Sequence, residues 1–168
     1  MPVIEFAIFE SWFGTISVVQ RDRRIINLDL SENDIYQEHR AILKRFPEAV
    51  ESDQSFKTVR TLLHRYLKGQ PVDFDIEVDL SDLPEFTQRV LQELRRIPYG
   101  ETRSYSEIAA LAGCPKGSRA IGQALKRNPV PIIIPCHRVV RHDGSLGGFS
   151  LGQRLKKRLL FLEGIQKT

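Results

Sequence analysis

The sequence predicts an α/β (α+β) chain in two parts, a small N-terminal antiparallel sheet with helices packed on a mostly helical C-terminal part. Three observations predict it. Three short β-branched runs separated by brief turns fill residues 3–30. Apolar positions at helical spacing dominate most of the chain beyond residue 34. Charge also divides the chain: residues 1–83 hold 10 Lys and Arg against 15 Asp and Glu, and residues 84–168 hold 15 against 6. The expected domains are 1–80 and 84–168, with 81–83 as linker.

The first strands are Val3 to Phe9, Thr15 to Gln20 and Ile25 to Leu30, joined by a loop ending at Gly14 and by the polar turn Arg21-Asp22-Arg23-Arg24. Short turns favour an antiparallel meander. Ile35, Ile42, Leu43 and Phe46 then share helical spacing, and Pro47 stops that run. Phe56, Val59, Leu62, Leu63, Tyr66 and Leu67 make a stronger helical stripe, with Ser52 as N-cap and Gly69 and Pro71 as its stop. Residues 72–80, VDFDIEVDL, alternate apolar with acidic at every step. That pattern predicts a strand with one buried and one solvated face. Its carboxylates are evenly spaced rather than convergent, which argues against a metal site.

The C-terminal part opens with a helix carrying Phe86, Val90, Leu94 and Ile97 on one side. Ser104 and Glu107 fit a capping box for the next helix, which continues through Ile108, Ala109, Leu111 and Ala112. After the turn Cys114-Pro115-Lys116-Gly117, Ser118 is the N-cap candidate for a second short helix that Asn128-Pro129 closes. Two short helices across a tight, glycine-containing turn read as a helix-turn-helix or as an ordinary helical hairpin. Small residues at the start of the second helix, Ser118, Ala120 and Gly122, surround one long cation, Arg119. Close backbone approach with a projecting Arg suits DNA better than it suits apolar packing, and the basic charge of this half points the same way.

Composition narrows the function classes. With 168 residues, 41% hydrophobic and 27% charged, the chain has enough length for a core without disulfide staples. No apolar run approaches the roughly 20 residues of a membrane span. The N-terminus lacks the basic and apolar regions of a secretory signal. Two cysteines make no disulfide scaffold, so free thiols in the cytoplasm are expected.

The sharpest feature is PVPIIIPCHRVV, residues 129–140. Pro131 and Pro135 cannot donate ladder bonds, so this is a stiff, apolar, extended approach to Cys136 and not a central strand. His137, Arg138, Arg141 and His142 surround the cysteine with positive charge, which is expected to lower its pKa. Neighbours on extended backbone point to opposite sides, so a direct Cys136–His137 bond needs a turn or a bridging water. Cys114, in a turn with no His or acid beside it, reads as inert. No Cys-x-x-Cys pair, zinc spacing, P-loop or G-x-G-x-x-G occurs, so no metal and no cofactor is implied.

Pro135-Cys136-His137-Arg138-Val139 strongly resembles the active-site motif of the O6-alkylguanine-DNA alkyltransferases, the methylated-DNA–protein-cysteine methyltransferases. Thr102-Arg103-Ser104-Tyr105, Arg119-Ala120-Ile121-Gly122, Asn128-Pro129, residues 144–150 (GSLGGFS) and residues 159–164 (LLFLEG) fall in the family's order. The match spans about Phe86 to Gly164; the first 80 residues resemble the family's ribonuclease H-like N-terminal part more weakly. The resemblance implies a monomeric, self-inactivating enzyme of DNA repair. It would act on double-stranded DNA carrying O6-alkylguanine or O4-alkylthymine, without membrane or cofactor, and would be cytoplasmic, nucleoid-associated, or nuclear in a eukaryote.

The resemblance also implies roles. Cys136 would attack the alkyl carbon after the base is rotated out of the duplex. His137 would take the thiol proton through a water, and Glu163 would hold the imidazole. Tyr105 would donate to guanine N3. Ser150 would bind the O6 side, and the Cys136 and Val139 carbonyls the exocyclic amine. Asn128 would order the turn before the active-site segment. Arg119 would fill the gap in the stack, with Ser118, Ala120 and Gly122 against the minor groove. Lys116, Lys126, Arg127, Arg154, Lys156, Lys157 and Arg158 read as solvated or phosphate-facing. Leu91, Phe149 and Leu151 depart from residues common in the family, and Leu151 predicts slower reaction of bulky adducts. A lesion sensor without chemistry and a cysteine hydrolase are the competing readings. The first would lack the Cys136, His137 and Glu163 set; the second would need a remote histidine, and only His39 and His64 are remote.

Overall fold

The computed structural model describes residues 1–166 and divides into two compact units, Met1–Asp79 and Leu80 onward. The first unit is built on β1 (Ile4–Ser11), β2 (Gly14–Arg21) and β3 (Arg24–Ser31), paired antiparallel along their lengths. Asp22 and Arg23 both adopt left-handed φ, 49° and 66°, in the two-residue turn between β2 and β3. That twist matches the strands it joins. A fourth strand, β4 (Val50–Glu51), pairs parallel to β1, giving the order β3-β2-β1-β4. At two residues it is too short to leave a periodicity.

Both faces of the sheet are covered, which is why β2 is buried from Thr15 to Gln20 without alternation. Helix α1 (Ile35–Arg45) seats Ile42 against Ile4, Phe6, Ile8 and Val19. Its start is fixed by a capping box in which Asp34 accepts from Gln37 N at 2.7 Å and the Gln37 side chain accepts from Asp34 N at 3.1 Å. Phe9, of opposite parity, meets His64 edge-on at 5.4 Å and the Arg60 guanidinium at 5.1 Å, both on α2 (Lys57–Leu67). Ser52 is not the N-cap of α2, which is Phe56; its hydroxyl accepts from Ser55 N at 3.4 Å ahead of α2, beside the 3-10 turn Gln54–Phe56 whose N-cap is Asp53.

Residues 72–80 are not a strand. The predicted alternation holds in burial, with Val72 and Phe74 inside and Asp73, Asp75 and Glu77 outside. The backbone, however, meets β3 only at Ile25, through Ile25 N→Glu77 O and Asp79 N→Ile25 O at 2.9 Å each. Alternation reports which face is wet, not whether a neighbouring strand supplies partners.

In the second unit α3 (Glu85–Leu94) buries Thr87, Val90, Leu91 and Leu94. Leu91, in place of an aromatic, is simply core. The pair α4 (Tyr105–Leu111) and α5 (Ser118–Lys126) forms the helix-turn-helix. Ser104 and Glu107 close the capping box of α4 at 3.1 and 2.6 Å. Gly117, not Ser118, is the N-cap of α5, and Ser118 is its first helical residue. The last helix is α6 (Gln153–Leu162).

Candidate active site

Asn128 starts the site. Its Nδ2 donates to Ile134 O at 2.9 Å, and its Oδ1 accepts from Val130 N at 3.0 Å. With Ile134 N→Val130 O at 2.9 Å, these bonds fold residues 130–134 into a tight turn, not the expected extended approach. The turn places Ile132 at φ 74°. A β-branched residue there is strained, and it persists because burial and hydrogen bonds over-determine it. The prolines predicted correctly that no ladder runs here, but not that the chain doubles back.

The turn delivers Cys136 into a 3-10 turn, Cys136–Arg138, followed by β6 (Val139–Val140). Parallel pairing of β6 with β5 (Arg103–Ser104) brings Tyr105, the next residue, alongside. Residues 130–140 are buried throughout. This overturns the expected pKa of the thiol. Burial pushes Cys136 up to about 11, against the Asn128 side-chain hydrogen bond, the Lys156 charge and the backbone N–H groups of Cys136 and His137. The thiol is the resting form, because the loss of water outweighs the positive surround.

Behind the cysteine lies a closed polar group. His137 Nε2 and Glu163 Oε1 are 2.7 Å apart. Arg138 Nε reaches both Glu163 oxygens at 3.2 and 3.0 Å, and its Nη2 adds a bond to Oε1 at 3.0 Å. Gly100 N donates to Oε2 at 3.0 Å. Burial alone would raise the Glu163 carboxyl, but the bond and charge of His137, then those of Arg138, take it down to about 2. Burial lowers His137, with Arg138 and Lys156 acting the same way and Glu163 opposing.

A cleft of about 1000 Å³ opens over Cys136. Tyr105, Ser118, Arg119, Gly122 and Ser150 line it together with Cys136. Ala120 is exposed on α5 outside the lining, and Val139 is buried beneath it. Phe149 lines the cleft and stands edge-on to His137 at 6.4 Å, whereas Leu151 is half-buried outside the lining. Tyr105 accepts a hydrogen bond from the Gly148 backbone N–H, and burial raises its pKa. Its hydroxyl therefore stays protonated, with that proton left to donate elsewhere. Gly147 makes room for it: a Cβ there would sit 2.7 Å from the hydroxyl oxygen, and its φ is 69°.

Two site residues escaped the sequence reading. Lys156, expected in solvent or against phosphate, is fully buried on α6. Its Nζ donates to Val139 O at 2.6 Å and Gly148 O at 3.0 Å, and burial takes its pKa down to about 8. The signal was present: positions 156, 159, 160 and 163 share one helical face, and two of them are buried leucines. Arg138, read only as part of the positive surround, is neutralised by Glu163.

Comparisons with known proteins converge on one family. A family model for the 6-O-methylguanine DNA methyltransferase DNA-binding domain matches residues 85–165. One for that protein's ribonuclease-like domain matches residues 4–80. A methylated-DNA–protein-cysteine methyltransferase of Sulfolobus acidocaldarius is 41% identical over 167 residues, covering 97% of this chain and 95% of that one. The constitutive enzyme of Bacillus subtilis is 37% identical, over 93% of each chain. Among solved structures, the Mycobacterium tuberculosis OGT in complex with DNA superposes with a TM-score of 0.81 at 34% identity, covering 95% of this chain and 92% of that one.

Proposed function

The chain belongs to the 6-O-methylguanine DNA methyltransferase family, and from that membership we propose how its own residues do the chemistry. It is a DNA repair protein that moves an alkyl group from O6-alkylguanine irreversibly onto its own cysteine, Cys136. The observation that carries this reading is a buried thiol at the inner end of a cleft, with the His137–Glu163 pair behind it and Tyr105 and α5 at the cleft wall.

Helix α5 lies against the minor groove of double-stranded DNA with Ser118, Ala120 and Gly122 inward. Arg119 fills the space of the alkylated base, whose extrusion costs a few kcal/mol. The base enters the cleft, with Ser150 on its O6 side and the carbonyls of Cys136 and Val139 near its exocyclic amine. Nε2 of His137 is engaged by Glu163, so Nδ1 is the nitrogen that receives the thiol proton through a water. Sulfur displaces guanine at the alkyl carbon: the S–C bond forms, and the C–O6 bond breaks with its electron pair going to the base. Tyr105 donates to N3 as that charge develops, a large catalytic effect when the donor is already oriented. The thiol hydrogen ends, overall, on guanine. A thioether has no cleaving group nearby, so each molecule, acting as a monomer, reacts once.

Mass spectrometry of the protein mixed with duplex DNA containing O6-methylguanine tests this reading. One methyl group on the Cys136 peptide, absent in Cys136→Ala, is the expected result. Lesion binding without a mass change would make the protein a sensor, and neither binding nor transfer would remove the function altogether.

A further inference from the structure

The reaction needs His137 as an uncharged base, yet His137 is buried in contact with a carboxylate. A buried histidine facing a lone carboxylate takes up a proton readily, because the opposite charge favours the imidazolium. Burial holds the proton off His137, and the Glu163 charge pulls the other way, so the balance depends on how that charge is compensated. The cleft, the thiol and the His137–Glu163 bond leave that charge uncompensated. Arg138 compensates it, and its geometry is specific for the task.

We propose that Arg138 is the positioning residue that keeps His137 a neutral base, by permanently neutralising and orienting Glu163; this rests on the transfer reaction proposed above. Arg138 is only 6% exposed. It spends Nε and Nη2 on both oxygens of Glu163 and donates Nη1 to Ile97 O at 2.6 Å, so its plane is fixed at both ends. The Tyr99 ring lies 5.9 Å from the guanidinium, and the Tyr99 hydroxyl donates to Leu162 O at 3.1 Å, closing the shell around the pair. Together with Gly100 N, these donors occupy the acceptor sites of the carboxylate except the one His137 uses.

The charges then sum differently with and without Arg138. With it, Glu163 and Arg138 cancel, so a proton arriving on His137 creates a net positive group. Without it, the same proton cancels the Glu163 charge and is held tightly. The other groups facing His137 are Lys156 on α6, Cys136 in its own turn and the uncharged ring of Phe149, while Tyr99 after α3 faces Glu163 and Arg138. Lys156 opposes the imidazolium as Arg138 does, but it bonds to backbone carbonyls rather than to Glu163. The neutral pair also keeps the transferred proton on His137 rather than Glu163, ready to return to the leaving base through Tyr105.

The test is single-turnover transfer from methylated duplex as a function of pH, where the amplitude counts competent molecules and the rate constant reports the chemistry. In the wild-type protein the rate should fall at acid pH with a midpoint below 6.5, the ordinary histidine value. Arg138→Met should move that midpoint up by at least about one pH unit. Arg138→Lys, which keeps the charge but not the fork, should hold the midpoint and lower the plateau. If Arg138→Met loses amplitude while its midpoint stays in place, it has lost only folding, and that result overturns the proposal. Should both variants fail to fold, NMR titration of labelled histidine in the wild-type protein decides: a His137 midpoint at or above 6.5 also overturns it. Absence of any methyl transfer by the wild type would sink the functional reading instead, and the titration would still judge Arg138.

Discussion

Lys156 is the residue whose environment differs most from its type. A lysine in a basic run is ordinarily wet, but on α6 its neighbours at three, four and seven positions on are Leu159, Leu160 and Glu163, all buried. Burying an ammonium is unfavourable unless it is bonded, and here two carbonyls supply the bonds. One belongs to Val139, just after the cysteine turn, and the other to Gly148, beside Tyr105. The lysine therefore clips the loop of the cleft wall to the active-site segment, and its charge acts on the Cys136 thiolate in the favourable direction. Lys156→Met keeps the length and removes both effects. We expect the single-turnover transfer rate to fall at least about tenfold, the equivalent of one pKa unit of lost thiolate support. An unchanged rate would reduce Lys156 to packing. Tyr105, Cys136, His137 and Glu163 were legible as residues because the motif fixes their order. The burial that sets their acidities was not, since flanking charges say nothing about access of water.

Elements were legible where their periodicity is local. The amphipathic helices and the capping boxes are written within one or two turns of sequence; α3 and α4 start where the sequence put them, but α3 ends at Leu94, short of Ile97, and α4 at Leu111, short of Ala112. The turn at 130–134 is different, because its shape depends on one side chain bonding backbone two and six residues ahead. Nothing in an apolar, proline-rich run announces a left-handed isoleucine. Asn128 is thus the element's fastener, and it also bonds the thiol that the turn presents. Asn128→Ala strands a buried carbonyl and a buried N–H, each worth about 1–3 kcal/mol. We expect chemical denaturation to show a loss of at least about 2 kcal/mol for Asn128→Ala. Asn128→Asp, which keeps the acceptor for Val130 N but not the donor to Ile134 O, should fall between it and the wild type. Equal stability of all three would mean that the prolines alone hold the turn.

At the scale of the whole molecule, the buried polar group makes stability depend on acid. Glu163 has a pKa near 2 against an ordinary 4.5, so its contribution is complete above pH 4.5 and is lost as pH falls toward 2. His137, kept neutral by burial with Arg138 and Lys156 acting the same way, has the same sign: below pH 6.5 the unfolded chain takes a proton that the folded chain refuses. Urea midpoints should therefore decline from about pH 6.5 downward, and a flat profile would contradict the ionised Glu163. The reaction itself should act in the same direction. Cys136 is 2% exposed, Ile134 two residues before it and His137 after it are both at 0%, and the turn that delivers it already holds Ile132 in a strained φ. Replacing the thiol hydrogen with methyl adds volume to a side chain that is already buried, and overpacking a core costs about 1–3 kcal/mol. For a chain of this size about 1 kcal/mol lowers the melting temperature by roughly 2–4 °C. The methylated protein, freed of DNA, should then melt several degrees below the unreacted form, and a bulkier alkyl group should lower it further. Melting curves recorded before and after one equivalent of methylated duplex give the comparison directly. An unchanged or higher melting temperature would mean that the cleft absorbs the alkyl group without strain, and that the spent protein is as durable as the active one.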